Sequence, residues 1–216
     1  MKFSDKLIAM NACTEAVEWC GSRGLVKAWR ECPRGDWMLW LAGRIDIDRK
    51  LLVLAACDCA ETALQYVPEG EDRPAKCIQV ARNWCEGTAS MDDVKAARRD
   101  AYAAYAAAAA AAYAYAAAAY AAAYAAAAAD ADAAAYAAAA DAAAYAAADA
   151  AADAASANAR RKSLKTCANL VRKRIPVSAI NAGIDEELAE LEAVIEGREL
   201  GDLEEELPSM LKDQAN

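Results

Sequence analysis

The sequence predicts an all-α protein: a compact helical bundle around a long Ala/Tyr-rich helix folded back as a hairpin, followed by an acidic C-terminal tail. Three observations predict this. Residues 101–155 contain nothing but alanine, tyrosine and aspartate. Alanine has the best helix propensity because it loses no side-chain entropy, and the tract has no glycine, proline or β-branched breaker. On either side of the tract, apolar residues recur at spacings of three and four, the period of one helix face. The charge is lopsided: of a net −9, residues 185–206 supply −10, with eleven acids and one arginine, so the body is near neutral.

The tract's length sets the architecture. As one helix it would run roughly 80 Å, whereas a compact chain of 216 residues is roughly 45 Å across. Either the molecule is elongated or oligomeric, or the tract folds back. Folding back is favoured, with the break placed at Ala129-Asp130-Ala131-Asp132, because aspartate caps a restarting helix.

The elements follow in order. Phe3, Leu7, Met10, Thr14 and Val17 predict one amphipathic helix ended by Gly21 or Gly24. Leu25, Ala28, Trp29 and Cys32 predict a second, stopped by Pro33 and Gly35. Asp36 is expected to cap the apolar turn Trp37-Met38-Leu39-Trp40-Leu41. Three tryptophans within twelve residues imply heavy local burial, either as a core anchor or as an exposed aromatic patch for a partner. Asp48 should cap the next helix, Leu51 to about Tyr66, which is apolar on nearly every face and therefore central. Asp72-Arg73-Pro74 starts another, with proline in the first turn and Cys77, Val80, Ala81 and Trp84 as its buried stripe; Gly87 ends it. Ser90, followed by Met91, Asp92 and Asp93, caps the helix that becomes the alanine tract. Beyond the tract, Leu164, Cys167, Ala168, Val171 and Ile175 line a basic segment carrying Arg160, Arg161, Lys162, Lys165, Arg172, Lys173 and Arg174, stopped by Pro176. In all, six to nine helices are expected, divided into a bundle (1–176, with the hairpin over 91–175) and an acidic amphipathic tail (177–216).

Within the tract, Tyr102, Tyr113 and Tyr124 are eleven apart and Tyr120 falls on the same face. Asp141, Tyr145, Asp149 and Asp153 are each four apart and predict one wetter stripe. The tyrosines read either as packing in a tight hairpin or as a recognition surface, since each joins apolar area to a hydroxyl. Tyr102, Tyr113, Tyr120 and Tyr124 are the candidate partner-binding residues there. In the tail, Leu188, Leu191 and Ile195 share a face, and Glu190, Glu204, Glu205 and Glu206 are candidate contacts for a basic partner.

The eight cysteines come with no histidine. Cys57-Asp58-Cys59 is CxC rather than CxxC, and Cys77 and Cys85 fall within a helix pattern as small core residues, so no zinc site is expected. Asp46-Ile47-Asp48 has the spacing of a DxD but reads as a cap rather than a metal ligand. No signal peptide or membrane span is recognised, and a cytoplasmic protein with reduced thiols is expected. Nucleic acid is disfavoured by the charge balance; the segment 160–174 is the sole candidate. Without a phosphate loop or nucleophile elbow, no catalytic residue, metal or cofactor is assigned.

Residues 25–100 carry Ala28-Trp29-Arg30-Glu31-Cys32, Asp36-Trp37-Met38-Leu39-Trp40-Leu41, Arg49-Lys50-Leu51, Asp72-Arg73-Pro74 with Ile78, and Trp84-Cys85-Glu86-Gly87, then the alanine-rich tract. This set resembles a family of alanine-rich helical proteins of bacteria and phages, in part described as immunity proteins; the resemblance spans about residues 20–175. It implies a non-catalytic protein that binds and blocks a protein partner. The alternative is a structural, self-assembling alanine-rich helix: a scaffold, a coat or an ice-binding-like rod. The absence of threonine from the tract speaks against ice binding.

Overall fold

The computed structural model describes residues 2–108, 113–130, 139, 142–150 and 157–184, and within these the side chains of 105–108, 113–116, 119, 130 and 157 are left aside. The described residues hold eleven helical segments and no strand. They are α1 (Phe3–Ala9), α2 (Thr14–Cys20), α3 (Leu25–Glu31), α4 (Gly35–Arg44), α5 (Arg49–Glu61), α6 (Arg73–Glu86), α7 (Met91–Ala108), α8 (Tyr113–Asp130), α9 (142–150), α10 (Ala157–Arg174) and α11 (177–184), with one 3₁₀ turn at Leu64–Tyr66.

Capping sets several boundaries as expected. The Leu51 N–H donates to the Asp48 carboxylate at 3.1 Å and opens α5. Ser90 and Asp93 exchange bonds at the start of α7: the Ser90 N–H donates to the Asp93 carboxylate at 2.8 Å and the Asp93 N–H to Ser90 Oγ at 3.2 Å. Gly87 ends α6 in the left-handed region, with φ 78°.

Two expectations are corrected. The first amphipathic helix is two, α1 and α2, separated by a turn in which Asn11 takes φ 61°. Asp36 is not a cap; Arg34 holds that position and Asp36 lies inside the first turn of α4, buried and gripped by the Arg34 guanidinium at 2.9 and 2.5 Å. The alanine tract folds back: α7 packs along α8, and Tyr102 meets Tyr120 across the pair. α8 reaches Asp130, within the expected break at 129–132, and the rest of that break lies outside the described residues.

One apolar core runs from Leu7 to Ile184. α5 is its axis, touching α4, α6, α8 and α10 and burying Leu52, Val53, Ala55, Ala56, Cys57, Cys59 and Ala60. Alanines 121–123, 125, 126, 128 and 129 of α8 are buried, and without large side chains the backbones close up: the Cys77 thiol of α6 donates to the Ala122 carbonyl at 3.4 Å. α4 approaches α10 just as closely at Gly35, where a Cβ would lie 2.5 Å from that of Cys167. The basic segment's apolar stripe is buried as expected, and three of its seven cations pair with the body. Arg174 pairs with Asp58 at 2.6 Å, Arg160 with Asp149 at 3.1 Å, and Arg172 donates to the carbonyls of Trp29 and Cys32. Past Pro176, Ile180 and Ile184 of α11 are buried in the same core.

Candidate functional site

The α7–α8 hairpin assembles a tyrosine ledge. Tyr120 and Tyr124 are four apart on α8 and therefore stack on one face. Their ring centroids are 4.4 Å apart at 72°, and the Tyr124 hydroxyl donates to that of Tyr120 at 2.6 Å. The antiparallel register brings Tyr102 of α7 to 5.8 Å from Tyr120, edge to face at 68°. Each such pair contributes about 0.5–1.5 kcal/mol beyond its buried area. All three rings are half-buried, and burial, then the neighbouring Tyr120, pushes the Tyr102 phenol above its ordinary range. The ledge thus offers hydroxyls set on apolar ring faces. Of the four tyrosines chosen from sequence, three are brought together; the Tyr113 side chain and Glu190, Glu204, Glu205 and Glu206 lie outside the described residues. On α9, Tyr145 is exposed beneath the Arg160 guanidinium at 4.4 Å and Asp149 pairs with the same arginine, while Asp141 and Asp153 lie outside the described residues.

Sequence reasoning left the tryptophans between core anchor and exposed patch. The structure makes them the wall of a cleft of ≈ 350 Å³ among α1, α2, α3 and α4, also lined by Leu7 and Leu41. Trp29 is buried, whereas Trp19, Trp37 and Trp40 are half-buried. Trp19 and Trp37 stand 6.2 Å apart, with Arg23 over the first at 4.8 Å and Arg34 over the second at 4.4 Å. Reading α1 and α2 as one straight helix hid this concavity; the one available signal was the turn-forming Asn11.

The two thiols of the CxC do not converge on one another. Cys57 Sγ faces the Ile78 carbonyl on α6 while Cys59 Sγ faces that of Cys167 on α10, so the CxC pair points to different neighbours. Burial pushes the Cys32 thiol up to about 11 and Cys77 to about 12. A hydrogen bond with Cys167, then burial, raises Cys59 well above the ordinary range. Asp46 turns through φ 51° and Asp48 caps α5, accepting from the Leu51 N–H. Among the described residues no group of three or more cysteine or carboxylate side chains is placed to hold a metal ion, and no helix is long and apolar enough to cross a membrane.

No curated protein and no solved structure matches the chain. A family model, described as Imm-5 like putative immunity protein, matches residues 45–172. That stretch is narrower than the resemblance suggested: it contains α5 through most of α10 and the tyrosine ledge, but not the cleft walls. Since it spans more than half of the chain, the protein belongs to the Imm-5 like putative immunity protein family.

Proposed function

We propose that this protein is a non-catalytic helical inhibitor that binds a protein partner and blocks it, with Tyr102, Tyr120 and Tyr124 at the centre of the contact. The observation that carries this reading is the ledge itself: three interlocked, half-buried tyrosines within the family-matched stretch. Such rings lose little conformational freedom on binding, and tyrosine is enriched among residues that dominate interface energy. Tyr113 joins these candidates by its spacing in the sequence, and the acid-rich arm with Glu190, Glu204, Glu205 and Glu206 steers a basic partner toward the ledge, an effect that salt screens. The buried thiols support the non-catalytic reading, since burial opposes the thiolate that nucleophilic chemistry needs. All eight cysteines are free, which fits a reducing compartment such as the cytoplasm.

The test is affinity capture from a bacterial host lysate, with wild type, a Tyr120→Ala/Tyr124→Ala variant and a Glu204→Gln/Glu205→Gln/Glu206→Gln variant side by side. Wild type should capture one stoichiometric partner. The tyrosine variant should bind it about 30-fold or more weakly, the loss of about 2 kcal/mol or more expected of central contact residues. The glutamine variant should associate more slowly at low salt. A partner held equally by all three chains removes the ledge and the arm from the contact; self-association with no partner favours the structural alternative.

A further inference from the structure

α10 carries seven lysines and arginines and no acid between Ala157 and Arg174. Arg160, Arg172 and Arg174 find their partners in the body. The other four, Arg161, Lys162, Lys165 and Lys173, are exposed, and among the described residues none of them is paired with a carboxylate. At about 100° per residue they share one face with the exposed Asn158, Thr166 and Asn169, opposite the buried Leu164, Cys167 and Val171. The acids of the helices packed on α10 are committed elsewhere: Asp36 of α4 to Arg34, Asp58 of α5 to Arg174 and Arg82, and Glu61 to Arg82. Residues 175–184 carry no charge.

The fold gains nothing from this arrangement. Lys162 with Lys165, three apart, and Arg161 with Lys165, four apart, repel on a helix surface. The helix dipole favours cations in the last turn, Arg172 to Arg174, but not two turns or more before it. Where acids could have stood, Asn158 and Asn169 accept from Arg161 and Arg172, so the guanidinium groups are positioned without being neutralised.

The chemistry of the face selects its ligand. It has no aromatic and no large apolar side chain of the kind that anchors a protein contact, and lysine is depleted in such contacts. Lacking an aromatic, it also lacks the stacking platform that single strands use. Lysine, arginine, asparagine and threonine are side chains that meet phosphate oxygens along a duplex. From Arg161 to Lys173 the face runs roughly 18 Å, over which one strand of duplex DNA presents about five phosphates.

We propose that the outer face of α10 docks on the phosphate backbone of duplex DNA without reading its sequence. The contact uses none of the ledge residues and is independent of the inhibitor reading above.

Fluorescence anisotropy of a labelled duplex of mixed sequence tests it in the full chain. Wild type should bind at about 10⁻⁵ M, with affinity falling against salt at a log–log slope of about −3.6, as for four neutralised phosphates. Arg161→Gln/Lys162→Gln/Lys165→Gln/Lys173→Gln should bind about ten-fold or more weakly, and Lys165→Gln alone should reduce the slope by about one. Lys27→Gln/Lys50→Gln, which removes exposed cations of α3 and α5, should bind as wild type does, and so should Tyr120→Ala/Tyr124→Ala. Should the fourfold variant lose its helical circular dichroism, Lys162→Gln/Lys165→Gln replaces it under the same readings. Failure of wild type to bind at low salt overturns the proposal, as does an equal loss in the Lys27→Gln/Lys50→Gln variant. Poly-L-glutamate held as tightly as the duplex would make the face a dock for acidic protein and overturn the DNA assignment.

Discussion

Asp58 shows how much one side chain can hold. It lies between the two cysteines of the CxC, accepts from Arg174 at 2.6 and 3.0 Å and pairs with Arg82 at 3.0 Å, so a single carboxylate joins α5, α6 and α10. Arg82 reaches on to Glu61 at 2.7 Å. A CxC invites a metal reading, but its middle residue is the working one and the thiols on either side are packing groups. The buried thiols Cys32 and Cys77 make a prediction about pH. Their folded-state values are raised above the ordinary 9.0, to about 11 for Cys32 and about 12 for Cys77. Below pH 9 both states keep the proton and stability is untouched. Above it the unfolded chain releases protons that the folded chain retains, so stability falls as pH rises toward the folded values, by about 1.4 kcal/mol per pH unit for each thiol. Urea midpoints should therefore hold steady from pH 7 to 8.5 and drop between pH 9 and 11, and Cys32→Ala/Cys77→Ala should lessen that drop, leaving the part that Cys57, Cys59 and Cys85 contribute.

Among the elements, the crossing of α4 on α10 is the most demanding. At Gly35 a methyl group would meet Cys167 Cβ at 2.5 Å and the Ala168 backbone nitrogen at 2.7 Å, and a helix backbone cannot step aside as a flexible side chain can. Gly35→Ala should cost about 1–3 kcal/mol, the usual range for overpacking; a thermal midpoint equal to wild type would show that the two helices part freely. From sequence, Gly35 looked like a stop signal after Pro33. The residue type was legible and its purpose was not, because the close approach belongs to a neighbour more than a hundred residues away. α5, α6 and α7 were legible because Asp48, Pro74, Gly87 and Ser90 act within their own turns. The α1–α2 break was not, since Leu7, Met10 and Val17 keep helical spacing across the turn at Asn11. The pairing of α7 with α8 was not legible for a different reason: an alanine tract announces no partner, and the register follows from how the two helices pack, with Tyr102 on Tyr120. The tyrosine ledge was legible as a spacing and the cleft was not, because a concavity among four short helices leaves no periodic trace.

At the scale of the whole molecule, the family-matched stretch and the helices before it share one core. Arg172 fastens them, its guanidinium donating to the carbonyls of Trp29 and Cys32 at the end of α3. Four tryptophans report on α2, α3 and α4, while the tyrosines and most of the helical signal report on the later helices. Urea unfolding followed by tryptophan emission and by circular dichroism should therefore give coincident curves. Arg172→Ala should lower the shared midpoint by about 1–2 kcal/mol in stability, the cost of unpaired buried carbonyls; curves that separate already in wild type would show two units. The hairpin has a consequence of another kind. Its alphabet is almost a single letter, so what specifies it is counting. Losing one alanine from 121–123 would turn Tyr124 by about 100° away from Tyr120, although composition and helix propensity would hardly change. A stretch that looks indifferent to its contents is intolerant of its length, and the ledge is where a miscount would first be felt.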